Sequence, residues 1–199
     1  MKFYSGKTLD DALANACEAL QASRQEIYYD IIKETKTLFT KKVEIRCFTQ
    51  DMVREYVENY IKDIVSGMEF EVETVSYIQD GRIYCNINTD HNSILIGRGG
   101  VILRALTVIA RSSVSNIFNK RFEISLDING YKEERYKKVS SMARRLAKQV
   151  QRTKHKVELD PMPADERKVM HKVIDEFDHV KTESVGEGRN RHMVISYYE

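Results

Sequence analysis

The feature that most constrains the fold is the stretch HNSILIGRGGVILRAL, residues 91–106, where an apolar run is broken by glycines. Three of the chain's nine glycines, Gly97, Gly99 and Gly100, stand within four residues there, and Arg98 stands among them. Glycine disfavours the interior of a helix and adopts backbone conformations that other residues avoid. The stretch therefore predicts two helices joined by a tight turn whose backbone N–H groups a phosphate can approach closely.

The residues around the turn separate three interpretations of it. A nucleotide-binding P-loop requires Lys and Ser or Thr after its second glycine and a strand before the loop, whereas Val101 and Ile102 follow here. The dinucleotide fingerprint fails on the same context. A plain helix–loop–helix turn stays open as an alternative. One glycine normally suffices for that turn, so three glycines with an arginine favour an anion site, strengthened by the dipole of the following helix.

Hydrophobic periodicity predicts the order helix, strand, strand, helix, helix, strand for the unit that contains this turn, residues 50–129. Apolar residues recur at helical spacing from Val53 to Val65, and Gly67 ends that helix. Asp80-Gly81 between two β-like runs predicts a hairpin, and the alternation in RFEISLDI predicts the closing strand.

The first 49 residues predict a smaller accessory unit with the order strand, helix, strand, strand. Thr8 precedes a helical pattern of apolar residues with two aspartates in its first turn, which is typical of a capped helix. The runs EIYYDIIKE and LFTKKVEIRCF are rich in β-branched and aromatic residues, so we expect both to be strands.

Residues 130–199 predict a long helix from about Tyr131 to Arg152, a strand, a second helix, and two strands hinged at residues 186–188. Residues 132–199 hold 16 Lys or Arg against 12 Asp or Glu, a net of +4, whereas residues 1–131 hold 16 against 18, a net of −2. The excess favours an anionic partner, although a solvated helix face explains it about as well. The basic residues opposite the apolar side of the first helix are Lys137, Arg144, Arg145, Lys148 and Arg152.

Arg167 and His171 lie four residues apart in the predicted helix ADERKVMHKVIDEF, so both side chains point the same way. A lone histidine on a helix is more often a packing residue than a functional one, and no histidine pair here has the spacing of helix-borne metal ligands. Asp165 and Glu166 share the helix, but no nucleophile in a special turn accompanies them. We therefore expect a binding protein rather than an enzyme, with no cofactor and no metal.

Two further patterns bear on location. No window approaches about eighteen continuous apolar residues, and the N-terminal MKFYSGKTLDD lacks the apolar region of a secretory signal, so we expect a cytoplasmic protein. Cys17, Cys47 and Cys85 are odd in number, widely spaced and set among apolar residues, which is typical of buried free thiols.

In this order of elements, Ile96-Gly97-Arg98-Gly99-Gly100 resembles the Ile-Gly-x-x-Gly signature of the KH domain in its type II topology. The resemblance implies that the loop clamps the sugar-phosphate backbone of about four nucleotides of single-stranded nucleic acid. Arg98 then supplies charge, and Ile94, Ile96 and Ile102 are the residues of an apolar groove for the bases.

Arg167 and His171, with PMPADER before them and a glycine hairpin after them, resemble the domain named for an Arg and a His separated by three residues. That resemblance implies a second site for single-stranded nucleic acid. Beside the pair, we assign to it Arg191 of the closing hairpin and Arg144, Arg145, Lys148 and Arg152 of the preceding helix.

The whole chain resembles the Jag family of SpoIIIJ-associated proteins, also called KhpB or EloR, most closely in MKFYSGKTLDDAL and VELDPMPADERKVMH. The resemblance implies an α+β fold of three small modules: a β-α-β-β Jag N-terminal module at residues 1–49, a type II KH domain (α-β-β-α-α-β) at 50–129 and an α/β Arg-xxx-His domain at 130–199. It also implies a cytoplasmic RNA-binding regulator of cell elongation and envelope synthesis. Such a regulator acts with a small KH-only partner protein and near the membrane insertase.

Two classes of function stay open at this point. The first is a binder of single-stranded RNA, for which single-stranded DNA is a competing ligand. The second is a membrane-associated scaffold whose KH surface mainly binds protein, either another protein or a second copy in a homo-oligomer. A scaffold should purify without nucleic acid, so the absorbance ratio of the purified protein discriminates between them.

Overall fold

The computed structural model describes residues 1–37 and 41–199. The predicted α+β class is confirmed, and the described elements follow the predicted order. The chain divides into two compact units, Met1–Asn129 and Gly130–Glu199. The predicted strand LFTKKVEIRCF begins at residue 38, so its first three residues lie outside the described part.

The first sheet belongs to the N-terminal unit and has one helix on one of its faces. Its elements in chain order are β1 (Lys2–Gly6), α1 (Leu9–Leu20), β2 (Ile27–Lys36) and β3 (Lys41–Thr49). The strand order is β1-β3-β2, with both pairs antiparallel. Thr8 caps α1 as predicted, since its hydroxyl accepts from the Asp11 N–H and the Asp11 carboxylate accepts from the Thr8 N–H, each at 3.1 Å.

The second sheet of the same unit carries the glycine turn. Its elements are α2 (Gln50–Ser66), β4 (Val72–Gln79), β5 (Arg82–Thr89), α3 (Asn92–Ile96), α4 (Val101–Phe118) and β6 (Glu123–Ile128). β4 pairs antiparallel with β5, and β5 pairs parallel with β6. Asp80 and Gly81 join β4 to β5 with φ of 50° and 71°, the left-handed turn that Asp-Gly favours. The alternate residues Ile83, Cys85 and Ile87 are buried as predicted.

An aromatic cluster joins the first sheet to α4 and β6, and the periodicity of the sequence does not predict it. The Phe48 ring lies 4.9 Å from the Phe118 ring, centroid to centroid, and 5.5 Å from the Tyr28 ring. Tyr28 in turn meets Phe122 edge-on at 5.3 Å. Aromatic pairs in such geometry add to the free energy of area burial. The two sheets therefore pack together within one compact unit.

The thiols are free, as the sequence suggested, but their burial differs. Cys47 and Cys85 are buried, and burial raises the pKa of Cys47 to about 11 and that of Cys85 to about 12. Cys17, on α1, is only half-buried.

One stretch of the described chain has the length and apolar composition of a membrane span. It runs from Asn92 to Phe118 with a mean hydropathy of 1.6, and 33% of it is buried inside the protein. The helix is interrupted at Gly97, whose φ of 69° and ψ of 175° are not helical. Its apolar residues Leu103 and Leu106 are buried. A core helix of this kind passes the same test, so the stretch is a weak indication of a span.

The C-terminal unit packs two helices on a three-stranded antiparallel sheet. Its elements are α5 (Tyr131–Thr153), β7 (Val157–Glu158), α6 (Ala164–Ile174), β8 (Val180–Val185) and β9 (His192–Tyr197). The strand order is β7-β9-β8. The core consists of the apolar side of α5, which was predicted, together with Met170 and Ile174 of α6 and Met193 and Ile195 of β9.

Candidate nucleic-acid interface

The glycine turn leaves α3 at Gly97 and enters α4 at Val101 through a short 3-10 turn. All three glycines have positive φ: 69° at Gly97, 59° at Gly99 and 76° at Gly100. Residues with a side chain rarely adopt this region. The glycines are thus required by the backbone path itself, which explains why they cluster between two helices.

Gly97 and Gly99 play different parts in the turn. A Cβ at Gly97 would lie 2.7 Å from Cγ1 of Ile102, so Ile102 packs directly on this glycine. No atom lies within 4 Å of a Cβ built on Gly99, which faces open space. The exposed backbone is therefore at Arg98 and Gly99, and Gly97 is where the turn closes on α4.

The side chains around the turn leave it accessible. Arg98 is exposed, Ile94 is 51% exposed, and Ile96 and Ile102 are half-buried. Arg104, which was not predicted from the sequence, donates from Nη1 to the Gly99 carbonyl oxygen at 2.7 Å. It lies one helical turn beyond the glycines, and that spacing was the available signal for a residue that braces the turn.

Charge is divided within the second-sheet region. Residues 50–90 hold nine acidic and three basic residues, whereas residues 91–122 hold no acidic residue and five basic ones. Those five are Arg98, Arg104, Arg111, Lys120 and Arg121. The glycine turn and α4 thus form the positive side of a region that is otherwise acidic, and a positive surface attracts phosphate.

Arg167 and His171 of α6 both reach β8. Arg167 donates from Nη1 to the Ser184 hydroxyl at 2.5 Å and from Nε to the Met162 carbonyl at 3.3 Å. His171 is hydrogen-bonded through Nδ1 to the Thr182 hydroxyl. Thr182 and Ser184 are alternate residues of one strand, so the two bonds stand side by side between helix and strand.

Arg191 joins the same cluster. Its Nε donates to the Ser184 hydroxyl at 2.9 Å, so Ser184 connects the guanidinium groups of Arg167 and Arg191. Three predicted residues are therefore close together, through two hydroxyls that were not predicted from the sequence. We name this group, Arg167, His171, Thr182, Ser184 and Arg191, the α6–β8 cluster.

Another part of α6 carries an ion pair that was also not predicted. Arg135 of α5 donates to both carboxylate oxygens of Glu166 of α6, at 3.0 and 2.8 Å. The Glu166 side chain is 4% exposed, and the hydrogen bond to Glu166 raises the pKa of Arg135. The neighbouring Asp165 accepts a hydrogen bond from the Tyr136 hydroxyl at 2.8 Å. These carboxylates thus anchor α6 on α5, which suits a structural role.

The basic residues of α5 are exposed as predicted, yet they are not equivalent. Lys137 pairs with Glu133 at 2.6 Å, which raises the pKa of Lys137, and Arg144 pairs with Glu176 at 3.5 Å. Arg145, Lys148 and Arg152 have no carboxylate partner among the residues that the structure describes. No hydrogen bond or ion pair in the described chain joins these basic residues to the α6–β8 cluster. The structure therefore separates the predicted C-terminal residues into two groups.

The groups assembled at both places suit the binding of an anion. They are guanidinium groups, hydroxyls, an imidazole and exposed glycine backbone, all of which can donate hydrogen bonds to phosphate oxygens. Within residues 1–37 and 41–199 no cluster of three or more His, Cys, Asp or Glu has the arrangement of a metal site.

Comparisons with known proteins agree with these units. A family model for the Arg-xxx-His domain matches residues 137–197, and one described as the Jag N-terminus matches residues 4–47. The chain is 27% identical to the RNA-binding protein KhpB of Clostridium symbiosum, over 98% of this chain and 91% of that protein. It is 26% identical to the protein of the same name from Bacillus subtilis, over 97% and 96% of the two chains. A third KhpB, from Streptococcus pneumoniae, is 29% identical over 77% of this chain and 47% of its own length.

Proposed function

The chain belongs to the Jag family, and on that premise we propose that it is an RNA-binding protein that holds single-stranded RNA in each of its two compact units. The N-terminal unit does so at the glycine turn, and the C-terminal unit does so at the α6–β8 cluster. We propose the module boundaries as 1–49 for the Jag N-terminal module, 50–129 for a type II KH domain and 130–199 for the Arg-xxx-His domain.

The observation that carries the proposal is the glycine turn. Its three left-handed glycines, the exposed Arg98 and the open space above Gly99 leave backbone N–H groups accessible to a phosphate. Ile94 and Ile96 offer apolar surface beside it for unstacked bases, and the start of α4 adds a positive potential. A site of this kind binds the strand through its backbone and needs no catalytic group.

Three features support the second place of contact. Arg167 and Arg191 bring two guanidinium groups to one hydroxyl, and a phosphate can accept bidentate hydrogen bonds from either. His171 contributes a ring nitrogen beside them. Arg145, Lys148 and Arg152 on α5 have no carboxylate partner in the described chain, so they remain available for phosphates farther along the strand.

Binding of a short single-stranded RNA by fluorescence anisotropy tests the proposal. The double variant Arg98→Asp with Gly99→Asp puts two carboxylates where a phosphate would sit, and both positions are exposed. We expect affinity to fall by more than about tenfold while helix content and melting temperature stay close to those of the unaltered protein. Wild-type affinity in this variant would rule out the phosphate clamp.

A second candidate, a protein-binding scaffold, is favoured by one observation. α4 carries exposed apolar side chains at Val101 (53% exposed), Val108 (60%) and Ile109 (46%), a surface of the kind that proteins use to pair with proteins. A KH-only partner, or a second copy of this chain, is the occupant that the family resemblance suggests. Purification from cells distinguishes the candidates, since a scaffold has the absorbance ratio of clean protein and an RNA binder retains nucleic acid.

We further propose a cytoplasmic location, close to the membrane insertase, and a role in the control of cell elongation and envelope synthesis. These follow from the family resemblance alone. Crosslinking in the native cell, followed by sequencing of the attached RNA, would identify the targets and test whether they encode envelope proteins.

A further inference from the structure

A pocket of about 410 Å³ lies beside the C-terminal half of α4 and the start of β6. Its residues were not singled out from the sequence, and neither proposed RNA contact uses them. The residues that line it are Arg111, Ser112, Ser115, Asn116, Arg121 and Phe122. We name it the α4–β6 pocket.

The lining of the α4–β6 pocket selects for an anion. It combines two guanidinium groups, two hydroxyls and one amide, each of which can donate a hydrogen bond, and its described residues include no carboxylate. A phosphate group presents only acceptors when it is fully ionised, and guanidinium groups bind it with charge-assisted hydrogen bonds.

The two arginines differ in how they are held. Arg111 donates from Nε to the Ile124 carbonyl oxygen at 3.1 Å and from Nη2 to the same atom, which fixes the plane of its guanidinium group. A guanidinium group that is already fixed loses little freedom when it binds. Arg121 is exposed and has no ion pair within the described chain. One arginine is therefore preorganised and the other is free to close on a ligand.

The aromatic wall of the pocket is held from the other side. Phe122 packs edge-on against Tyr28, and its ring lies 6.4 Å from that of Phe48, so the first sheet supports it. Lys120 lies 4.1 Å above the Tyr28 ring, which adds a third cation nearby. The nearest acidic residue in sequence, Glu123, is engaged by Arg82, whose Nε donates to Oε2 at 2.9 Å. The cations of the pocket thus lack a competing carboxylate of their own.

Position relates the pocket to the glycine turn. α4 rises about 1.5 Å per residue, so Arg111 lies about 16 Å along the helix from Gly100. Four clamped nucleotides, advancing about 3.4 Å or more each, cover about 14 Å of strand. We propose that the α4–β6 pocket binds a further phosphate of the RNA strand that the glycine turn holds, and so lengthens the footprint along α4. This inference rests on the proposed function of the turn.

The test compares full-length variants with oligouridines of about four and about twelve nucleotides. Arg121→Gln and Ser115→Ala alter the pocket without removing a hydrogen bond that the structure records. Lys62→Gln is the matched control, because Lys62 is an exposed cation of α2 without an ion pair in the described chain. Melting temperatures of all variants are measured alongside, to verify that each is folded.

For the longer RNA we expect Arg121→Gln to weaken binding by about three- to tenfold, and to lower the slope of log affinity against log salt by roughly 0.7. The shorter RNA and the Lys62→Gln control should show no such change. Equal effects on both RNA lengths, or none on the longer one, would overturn the inference. If the Arg98→Asp with Gly99→Asp variant also binds RNA normally, the proposed function of the turn fails as well, so the two failures are distinguishable.

A free phosphate could satisfy the same donors. Inorganic phosphate and uridine monophosphate are therefore titrated into the protein while the amide signals of Ser112 and Ser115 are followed by NMR. The longer RNA should shift these signals at concentrations where the small phosphates do not. Saturation by small phosphates at lower concentration, or a change in oligomeric mass of Arg121→Gln without a change in RNA affinity, would contradict an RNA contact.

Discussion

The glycine turn and the α6–β8 cluster bring phosphate-binding groups to the surface by different means. The turn does so with backbone, since Arg98 and Gly99 are exposed and the space above Gly99 is open. The cluster does so with side chains that already bond each other, because Arg167, His171 and Arg191 all use hydroxyls of β8. A backbone site can lose its charge without losing its fold, whereas a side-chain cluster cannot be altered without touching the packing beneath it.

The buried pair that anchors α6 gives the largest expected effect. Glu166→Ala leaves Arg135 without its carboxylate, and we expect the free energy of unfolding of the protein to fall by about 2 to 3 kcal/mol, since Arg135 is partly exposed and can regain some water. Glu183→Ala, an exposed carboxylate on β8, is the control and should cost little. Denaturant unfolding measures both. Similar small losses in the two variants would mean that the C-terminal cluster does not depend on this anchor.

Within the glycine turn, a pair of alanine variants separates strain from packing. Gly97 and Gly99 both have positive φ, so alanine costs about 1 kcal/mol at either position. At Gly97 the added Cβ also meets Ile102 at 2.7 Å, and we expect a further loss of about 1 kcal/mol. Thermal unfolding measures the difference. If the two variants melt alike, Ile102 moves aside easily, and the turn is looser than its geometry indicates.

Arg167→Lys tests whether the α6–β8 cluster depends on geometry as well as on charge. A lysine keeps the charge but cannot reproduce the guanidinium fork that reaches both Met162 and Ser184, so we expect RNA affinity to fall about three- to tenfold. Fluorescence anisotropy measures the change. Arg189→Lys, an exposed position in the same hairpin, is the control, and equal affinity of the two variants would mean that charge alone is sufficient.

His171→Gln, measured beside Arg167→Lys, separates binding from bracing. A large drop in melting temperature with unchanged affinity would make His171 a structural brace between α6 and β8. Loss of affinity at an unchanged melting temperature would instead make it a contact to RNA.

The smallest expected effect concerns the basic residues of α5. Arg145→Gln with Arg152→Gln removes cations that have no carboxylate partner in the described chain, and should lower the salt slope by roughly 0.7 for each phosphate that the variant no longer binds. Lys137→Gln with Arg144→Gln removes cations that are already paired, and should lower it less. Equal slopes for the two double variants would favour a solvated helix face over an RNA contact.

Local signals in the sequence were sufficient to predict the elements of both units. Thr8 and Asp11 cap α1 as expected, Asp80-Gly81 turns the hairpin, and the three glycines separate α3 from α4. Each of these depends on residues within a few positions of one another, so periodicity and turn chemistry suffice. The hydroxyls Thr182 and Ser184 escaped notice because they are distant in sequence from the α6 residues that they bind.

Sequence alone was enough for the α+β class, the order of elements, the glycine turn and the placing of Arg167 and His171 on one side of a helix. All of these follow from backbone preferences and helical spacing. Three features required the folded chain: Arg104 braces the turn, Glu166 is buried against Arg135, and the α4–β6 pocket forms where α4 and β6 approach each other. Hydrogen bonds, ion pairs and cavities depend on how side chains and elements meet in space, and sequence spacing constrains distances only within one element.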